Sequence, residues 1–307
     1  AIGKFAGIAH NFAPSGPVQT LDPLTPGSSG VPVILQWADP LGHSANDYDL
    51  YAVDPSGNVV AFSNNVQNGS QDPFEGFFLP GGGVSYGIAV VKFSGANRYF
   101  QVTAFRGRFS TEGGLTGYST PGATRGHSAV PAAFSVAAAP AHGPLPFSLE
   151  PGDPPNPSGP FPGVFTRSQL PERFTSDGPR RVFFNPDGTP ITPGNFSATG
   201  GTVRMKPDIT AADGVVTSLP GFTPFFGTSV AAPHAAAIAA LVLSGNPGIT
   251  PAEVRAALTG TAIDIVKRGW DRDTGFGIVM ADRVLAATGA TPQPFVRAGA
   301  PVVTPVG

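Results

Sequence analysis

The sequence contains no cysteine and few charged residues. Without cysteine, this chain can form no disulfide bond and cannot use a thiol nucleophile. Charged residues make up 12% of the 307 residues, about half the usual share. The 18 Lys and Arg residues nearly balance the 20 Asp and Glu residues, and no basic stripe indicates a nucleic-acid surface. No apolar run is long enough to predict a membrane span.

Glycine and proline are abundant, with 41 and 35 residues. Such a content is typical of low-complexity chains, but the apolar runs and a hydrophobic content of 41% indicate a packed core. We therefore expect a folded protein rich in loops. The length suits one large domain or two ordinary ones.

The region 30–107 has a β-rich pattern. Short runs rich in β-branched and aromatic residues are separated by Gly, Pro, Asn and Asp, and they occur at 31–37, 49–53, 59–63, 84–93 and 99–105. Several short strands at this spacing predict a β-sandwich or jelly roll over 30–107.

Two groups of side chains in this region have more than one interpretation. Asp47, Asp49 and Asp72 could bind calcium, which prefers carboxylate oxygens, or they could be exposed loop acids. Six aromatic residues could form a binding face, although strand alternation favours a core position for them. They are Trp37, Tyr48, Tyr51, Phe74, Phe77 and Phe78.

A Gly-Thr-Ser turn leads directly into an alanine-rich apolar run. The segment is Phe226-Gly227-Thr228-Ser229-Val230-Ala231-Ala232-Pro233-His234. A helix start stabilises negative charge through its free N–H groups, so the Ser229 N–H could be an oxyanion donor and its hydroxyl a nucleophile. Gly227 permits the tight turn, and a helix that is apolar all round is normally buried. The alternative is that the turn is only a helix cap.

This segment resembles the serine-nucleophile motif of the subtilisin-like peptidases. Further segments resemble other parts of that family, in the family's order, at 126–138, 174–179, 205–215 and 275–281. Between the last two, Thr250, Pro251 and Glu253 predict a capping box that opens a helix through about residue 258.

The resemblance implies an α/β fold built on a parallel sheet and hydrolysis of polypeptide substrates through an acyl-enzyme. Ser229 would be the nucleophile, with Gly227 and Thr228 supporting its turn. The resemblance also implies a secreted or cell-surface protein that requires no cofactor. His234 is expected to be a packing residue, and Asp208 and Asp213 are expected to belong to a structural strand and loop.

The family's order places an Asp-Ser/Thr-Gly motif and a His-Gly-Thr motif ahead of the serine, and neither occurs ahead of Ser229; a convincing Gly-Asn pair for the oxyanion hole is also missing there. We therefore expect residues 108–290 to be the C-terminal part of a catalytic domain that is inactive alone and needs an upstream half as its partner. Residues 1–29 would lead into an inserted β-sandwich at 30–107, and 291–307 would be a tail or linker. Residues 46–51 make that insert resemble pre-peptidase C-terminal-like domains.

Two other interpretations remain open. The chain could be a non-catalytic binding protein on a degenerate peptidase scaffold, working through its β-sandwich. It could also be a complete hydrolase with an unusual dyad, in which His10 or His127 is the base. Labelling of Ser229 in the chain alone would favour the dyad.

Overall fold

The structure is a computed structural model. It describes residues 6–13, 15–26, 30–105, 107–109, 120–146, 148–149, 155–159 and 161–291. The predicted tail at 291–307 therefore lies outside the described residues, except for residue 291, and so does the very start of the chain.

The chain divides into two compact units. The first consists of Ala1–Arg125, Glu150–Asp153 and Gly178–Arg204. The second consists of Gly126–Leu149, Pro154–Asp177 and Met205–Gly307.

Thirteen strands and three α-helices are described. The strands are β1 Ile8–Ala9, β2 Asp22–Pro26, β3 Val31–Trp37, β4 Asp47–Val53, β5 Val59–Ser63, β6 Phe74–Leu79, β7 Tyr86–Ser94, β8 Phe100–Ala104, β9 Gly107–Phe109, β10 Val136–Pro140, β11 Arg180–Val182, β12 Thr202–Arg204 and β13 Ile209–Asp213. The helices are α1 Thr228–Gly245, α2 Pro251–Thr261 and α3 Ala281–Thr288, and a short 3₁₀ helix covers Gly126–Ala129.

The first unit contains two antiparallel sheets around one core. One sheet has the order β5-β4-β7-β2-β9, with β1 also paired to β7, and the other has the order β6-β3-β8. Both sheets contribute side chains to a single hydrophobic cluster, which includes Leu35 of β3, Leu50 of β4 and Ile88 of β7. Strand alternation explains the arrangement, since every second residue of β3 is buried. That this unit is an insertion in another domain stays a prediction.

Some aromatic residues of this region lie in the core, and others are exposed on the surface. Trp37 and Tyr48 are buried in the core, and Phe77 packs against it. The expectation of a core position is wrong for Phe74 and Phe78, which are 43% and 59% exposed. Both lie on the outward face of β6, because Glu75 and Leu79 occupy the buried positions of that strand.

The segment 178–204 packs with the first unit. The Tyr99 N–H donates to the Phe196 carbonyl at 2.7 Å, and the rings of Tyr99 and Phe183 are 5.3 Å apart. The compact units thus divide the chain differently from the expected domain at 108–290.

The second unit is built on a parallel pair of strands. β10 and β13 pair from Val136 opposite Ile209 to Pro140 opposite Asp213, and an isolated parallel bridge joins Thr210 to Ile278. One cluster of buried side chains connects this sheet to α1 and α2.

The capping box at the start of α2 is present, as predicted. The Thr250 hydroxyl accepts a hydrogen bond from the Glu253 N–H, and the Glu253 carboxylate accepts one from the Thr250 N–H at 2.8 Å. The helix extends to Thr261, slightly beyond the expected end.

The expectation that α1 is buried all round is wrong. Only Val230, Ala231, Ala235 and Val242 of its 18 residues are buried. Small and apolar side chains form an exposed stripe, which we call the open face; its members are Ala232, Pro233, Ala236, Ala237, Ala240 and Leu243.

Because α1 has 18 residues and a mean hydropathy of 1.4, it is long and apolar enough to cross a membrane by length and composition alone. Core helices of soluble proteins pass the same test. No apolar run of that length was predicted from the sequence, but the helix continues through Pro233. The absence of a membrane span stays a prediction.

Candidate active site

Ser229 lies at the second position of α1, with its side chain exposed. Its hydroxyl has no hydrogen-bond partner within the described part of the chain. Its N–H belongs to the first turn, where backbone donors have no intrahelical acceptor. Both groups are therefore free to meet a substrate carbonyl.

Gly227 sets the geometry of the turn before Ser229. Its φ angle is +132°, a conformation that side-chain-bearing residues rarely adopt. Its carbonyl accepts the N–H groups of Val230 and Ala231 at 3.0 and 3.2 Å, which starts the helix. Thr228 is the first helical residue.

Pro233 lies in the second turn of α1. Because proline has no N–H, the Ser229 carbonyl lacks its usual helical donor at that position. The backbone on both sides of Ser229 is therefore less constrained by helical hydrogen bonds than the rest of α1.

Asp213 holds the turn from the end of β13. Its Oδ2 accepts the Gly227 N–H at 3.0 Å, and its backbone carbonyl accepts the Ala141 N–H at 2.8 Å. The sequence pointed only to a structural loop at Asp213, because the contact spans 14 positions along the chain. No local pattern could have identified it.

A second acid, Glu172, is buried in the same unit. Burial is the main cause that raises the pKa of Glu172 to about 8, and the charge of Asp213 adds to the shift. Burial also raises the pKa of Asp213 to about 6, although its hydrogen bond from Gly227 opposes the shift. The sequence analysis did not identify Glu172 as a site residue.

Asp208 lies at the opposite end of β13. Its carboxylate forms ion pairs with Lys206 Nζ and Arg255 Nη1, each at 2.7 Å, and accepts the Ser135 N–H at 2.7 Å. These contacts join three segments of the second unit and support a structural role.

None of the described histidines hydrogen-bonds to Ser229. His234 Nδ1 donates to the Ala212 carbonyl at 2.9 Å, which fixes its tautomer. His127 lies in the 3₁₀ helix that precedes β10. The ring centroids of Phe12 and Phe100 lie 4.8 and 4.7 Å from that of His10, and burial lowers the pKa of His10. The unusual dyad therefore has no support in the geometry.

The three acids considered for calcium have other contacts. Asp72 accepts the Gly42 N–H at 2.7 Å, and Asp49 accepts the Tyr51 hydroxyl at 2.9 Å. Asp47 is buried, and one of its oxygens has no partner. Among the described residues, no three His, Asp or Glu side chains form a group suited to a metal ion, so calcium binding remains a prediction without geometric support.

Comparison with known proteins identifies the family of the chain. Residues 84–277, more than half of the chain, match the model of the subtilase family, Peptidase S8. The chain belongs to the subtilase family. The match begins before β7, so it covers part of the first unit as well as the Ser229 region.

Two curated proteins are similar to parts of this chain. Fervidolysin of Fervidobacterium pennivorans is 44% identical over 59 residues, which are 19% of this chain and 8% of that protein. A probable subtilase-type serine protease of Deinococcus radiodurans is 30% identical over 106 residues, which are 34% of this chain and 12% of that protein. The chain thus matches only a small part of the length of these relatives.

Proposed function

We propose that this chain is the nucleophile-bearing part of a subtilisin-type serine endopeptidase. Ser229 attacks the scissile carbonyl, and its N–H is one donor to the oxyanion of the tetrahedral intermediate. The observation that carries the proposal is the exposed Ser229 at the start of α1. Its hydroxyl has no partner among the described residues, and its turn is held through Gly227 by the carboxylate of Asp213.

The acid, the base and the second oxyanion donor come from polypeptide upstream of this chain. The open face of α1 supports this step, since a long apolar helix with an exposed stripe of alanines is typical of a surface that another element covers. Without a base the serine hydroxyl is a weak nucleophile, so the chain alone is inactive. We further propose that the complete protein acts outside the cell or at its surface, on polypeptides.

A second candidate function has a specific observation in its favour. Phe62, Phe74 and Phe78 of the first unit are exposed, and exposed aromatic side chains are typical of binding surfaces. The first unit would then bind a partner or substrate while the second unit is a non-catalytic scaffold. The retained Ser229 turn favours the peptidase.

A fluorophosphonate probe distinguishes these functions. We expect no labelling of the purified chain and labelling at Ser229 when the protein includes the upstream polypeptide. Ser229→Ala removes the label, whereas Ser244→Ala, at the other end of α1, keeps it. Absence of the label from the longer protein contradicts the peptidase, and labelling of the chain alone contradicts the need for upstream groups.

A further inference from the structure

Two buried acids flank the end of the sheet from which the Ser229 turn is held. Glu172 is 1% exposed and Asp213 is 0% exposed. One oxygen of each accepts a backbone N–H: Glu172 Oε1 from Leu145 at 3.2 Å and Asp213 Oδ2 from Gly227 at 3.0 Å. The other two oxygens, Glu172 Oε2 and Asp213 Oδ1, are buried and have no hydrogen-bond partner.

Backbone geometry places both acids beside the last residues of β10. Asp213 pairs with Pro140, and its side chain is on the helix side of the sheet, because Ile209 and Ala211 pack with α1 and strands alternate with period two. The Glu172 N–H donates to the Ala138 carbonyl at 2.8 Å, and its carboxylate accepts the Leu145 N–H, so Glu172 borders the same end of β10.

Few charged groups face this pair. Arg173 lowers the pKa of Glu172 through its charge, but less than burial and Asp213 raise it. His234 of α1 donates a hydrogen bond from its Nδ1 to the Ala212 carbonyl. His142 is exposed on the segment after β10. In the described part of the chain, neither acid of the pair forms an ion pair with a Lys or Arg side chain.

Two neighbouring buried carboxylates without a paired cation do not both stay ionised, so the pair retains a proton. Burial and the Asp213 charge raise the pKa of Glu172 to about 8, above the value of about 6 for Asp213. This order of pKa values favours Glu172 as the member of the pair that holds the proton.

We propose that Asp213 is a positioning residue for Ser229 and that the Glu172 carboxyl group donates a shared proton to the free Oδ1 of Asp213. One O–H···O hydrogen bond then satisfies both unpaired buried oxygens, and the Asp213 anion fixes the Gly227 N–H through Oδ2. Because this chain already covers both oxygens, another polypeptide cannot pair with them unless the site rearranges.

This proposal rests on the proposed role of Ser229 as nucleophile. Asp213 acts on that residue only through the Gly227 N–H. It orients the turn from which the Ser229 N–H and hydroxyl project, and it takes no part in bond making.

The test is a carboxyl-carbon NMR titration of the whole chain, together with amide shifts and hydrogen exchange. We expect Glu172 to titrate near pH 8 and Asp213 near pH 6, the values to which burial shifts them. The amide shifts of Gly227 and Ser229 should follow the Asp213 step. Two results would overturn the proposal: titration of both acids below pH 5, or amide chemical shifts of Gly227 and Ser229 that do not change over the pH range in which Asp213 titrates.

Three variants separate positioning from a merely structural role. Asp213→Ala should speed exchange of the Gly227 amide by about tenfold, the size expected for one lost hydrogen bond. Asp213→Asn should keep the protection, because its side-chain oxygen still accepts, but should lower the pKa of Glu172, because the anion is replaced by an N–H donor. Asp282→Asn, which changes an exposed acid in the first turn of α3, is the control and should change neither readout.

An Asp213→Ala chain that folds and keeps normal Gly227 exchange also contradicts the proposal. If the variants do not fold, the wild-type titration alone still decides it. None of these readouts uses peptidase activity, so a failure of the Ser229 assignment appears only in the probe experiment.

Discussion

The two units of the chain differ in how completely their hydrophobic cores are covered. In the first unit, two sheets enclose large side chains such as Leu24, Leu35 and Leu50, which are fully buried. In the second unit, α1 buries only four of its 18 residues and leaves its open face exposed. The first unit thus encloses its core between two sheets, although Phe62, Phe74 and Phe78 stay exposed on its surface. In the second unit, the longest helix is covered on one side only.

The buried acids differ in how well their oxygens are satisfied. Glu75 in the first unit accepts hydrogen bonds from Ser63, Asn65 and Gln67, which satisfy both of its oxygens. Asp47 in the first unit, and Glu172 and Asp213 in the second, each keep a buried oxygen without a partner. Buried polar groups without partners are costly, and such groups cluster at functional sites.

The largest effect is expected at the nucleophile. In the protein that includes the upstream polypeptide, Ser229→Ala should lower kcat for peptide hydrolysis at least about a thousandfold, because the remaining groups give only residual catalysis. Steady-state hydrolysis of a denatured protein substrate measures the loss. Ser244→Ala is the control on the same helix, and a drop of less than tenfold in Ser229→Ala would remove the serine from the mechanism.

Two leucine-to-alanine substitutions compare the core of the first unit with the open face of α1. Leu50→Ala should destabilise the chain by about 2–5 kcal/mol, because it leaves a cavity in the first core. Leu243→Ala, on the open face and 46% exposed, should change stability by less than about 0.5 kcal/mol. Denaturant unfolding of both variants measures the difference, and equal losses would show that the open face is covered in this chain.

Stability should fall as pH rises, because the folded-state pKa values of the buried acids are raised. Asp213 shifts from 3.8 to about 6 and Glu172 from 4.5 to about 8. The stabilisation from the protonated forms is complete below pH 4 and is lost as pH rises through these values. Glu172→Gln should therefore remove the Glu172 part of this loss, which extends from its ordinary pKa of 4.5 up to about 8.

The comparison between wild type and Glu172→Gln isolates this effect. Burial also raises the pKa values of Asp22 and Asp49 in the first unit, to about 7 and about 6, so their contributions appear in both proteins and cancel. Thermal unfolding from pH 4 to pH 9 gives the two profiles. Parallel profiles would show that Glu172 is ionised in the folded protein.

The smallest effect is expected at the α2 cap. Thr250→Ala removes the hydroxyl that accepts the Glu253 N–H and should cost about 1 kcal/mol. Thr250→Ser retains the hydroxyl and should recover most of that loss, as measured by denaturant unfolding. A loss of less than 0.2 kcal/mol in Thr250→Ala would mean that this cap contributes nothing.

Sequence reasoning succeeded where the signal is local. The capping box of α2 and the bounds of β3 and β5 follow from neighbouring residues, and the Ser229 motif indicated the family. It failed where the decisive contact is distant: Asp213 contacts Gly227, and Phe74 faces outward only because of strand register. The exposure of α1 was not predictable either, since apolar composition says nothing about which neighbours are present.

The most direct test of the central claim is probe labelling of the native gene product, followed by peptide mapping. We expect the peptide that carries labelled Ser229 to belong to a polypeptide that continues upstream of Ala1 and contains a catalytic Asp and His. A native polypeptide that begins at Ala1 and still labels at Ser229 would contradict the claim that the catalytic groups come from upstream.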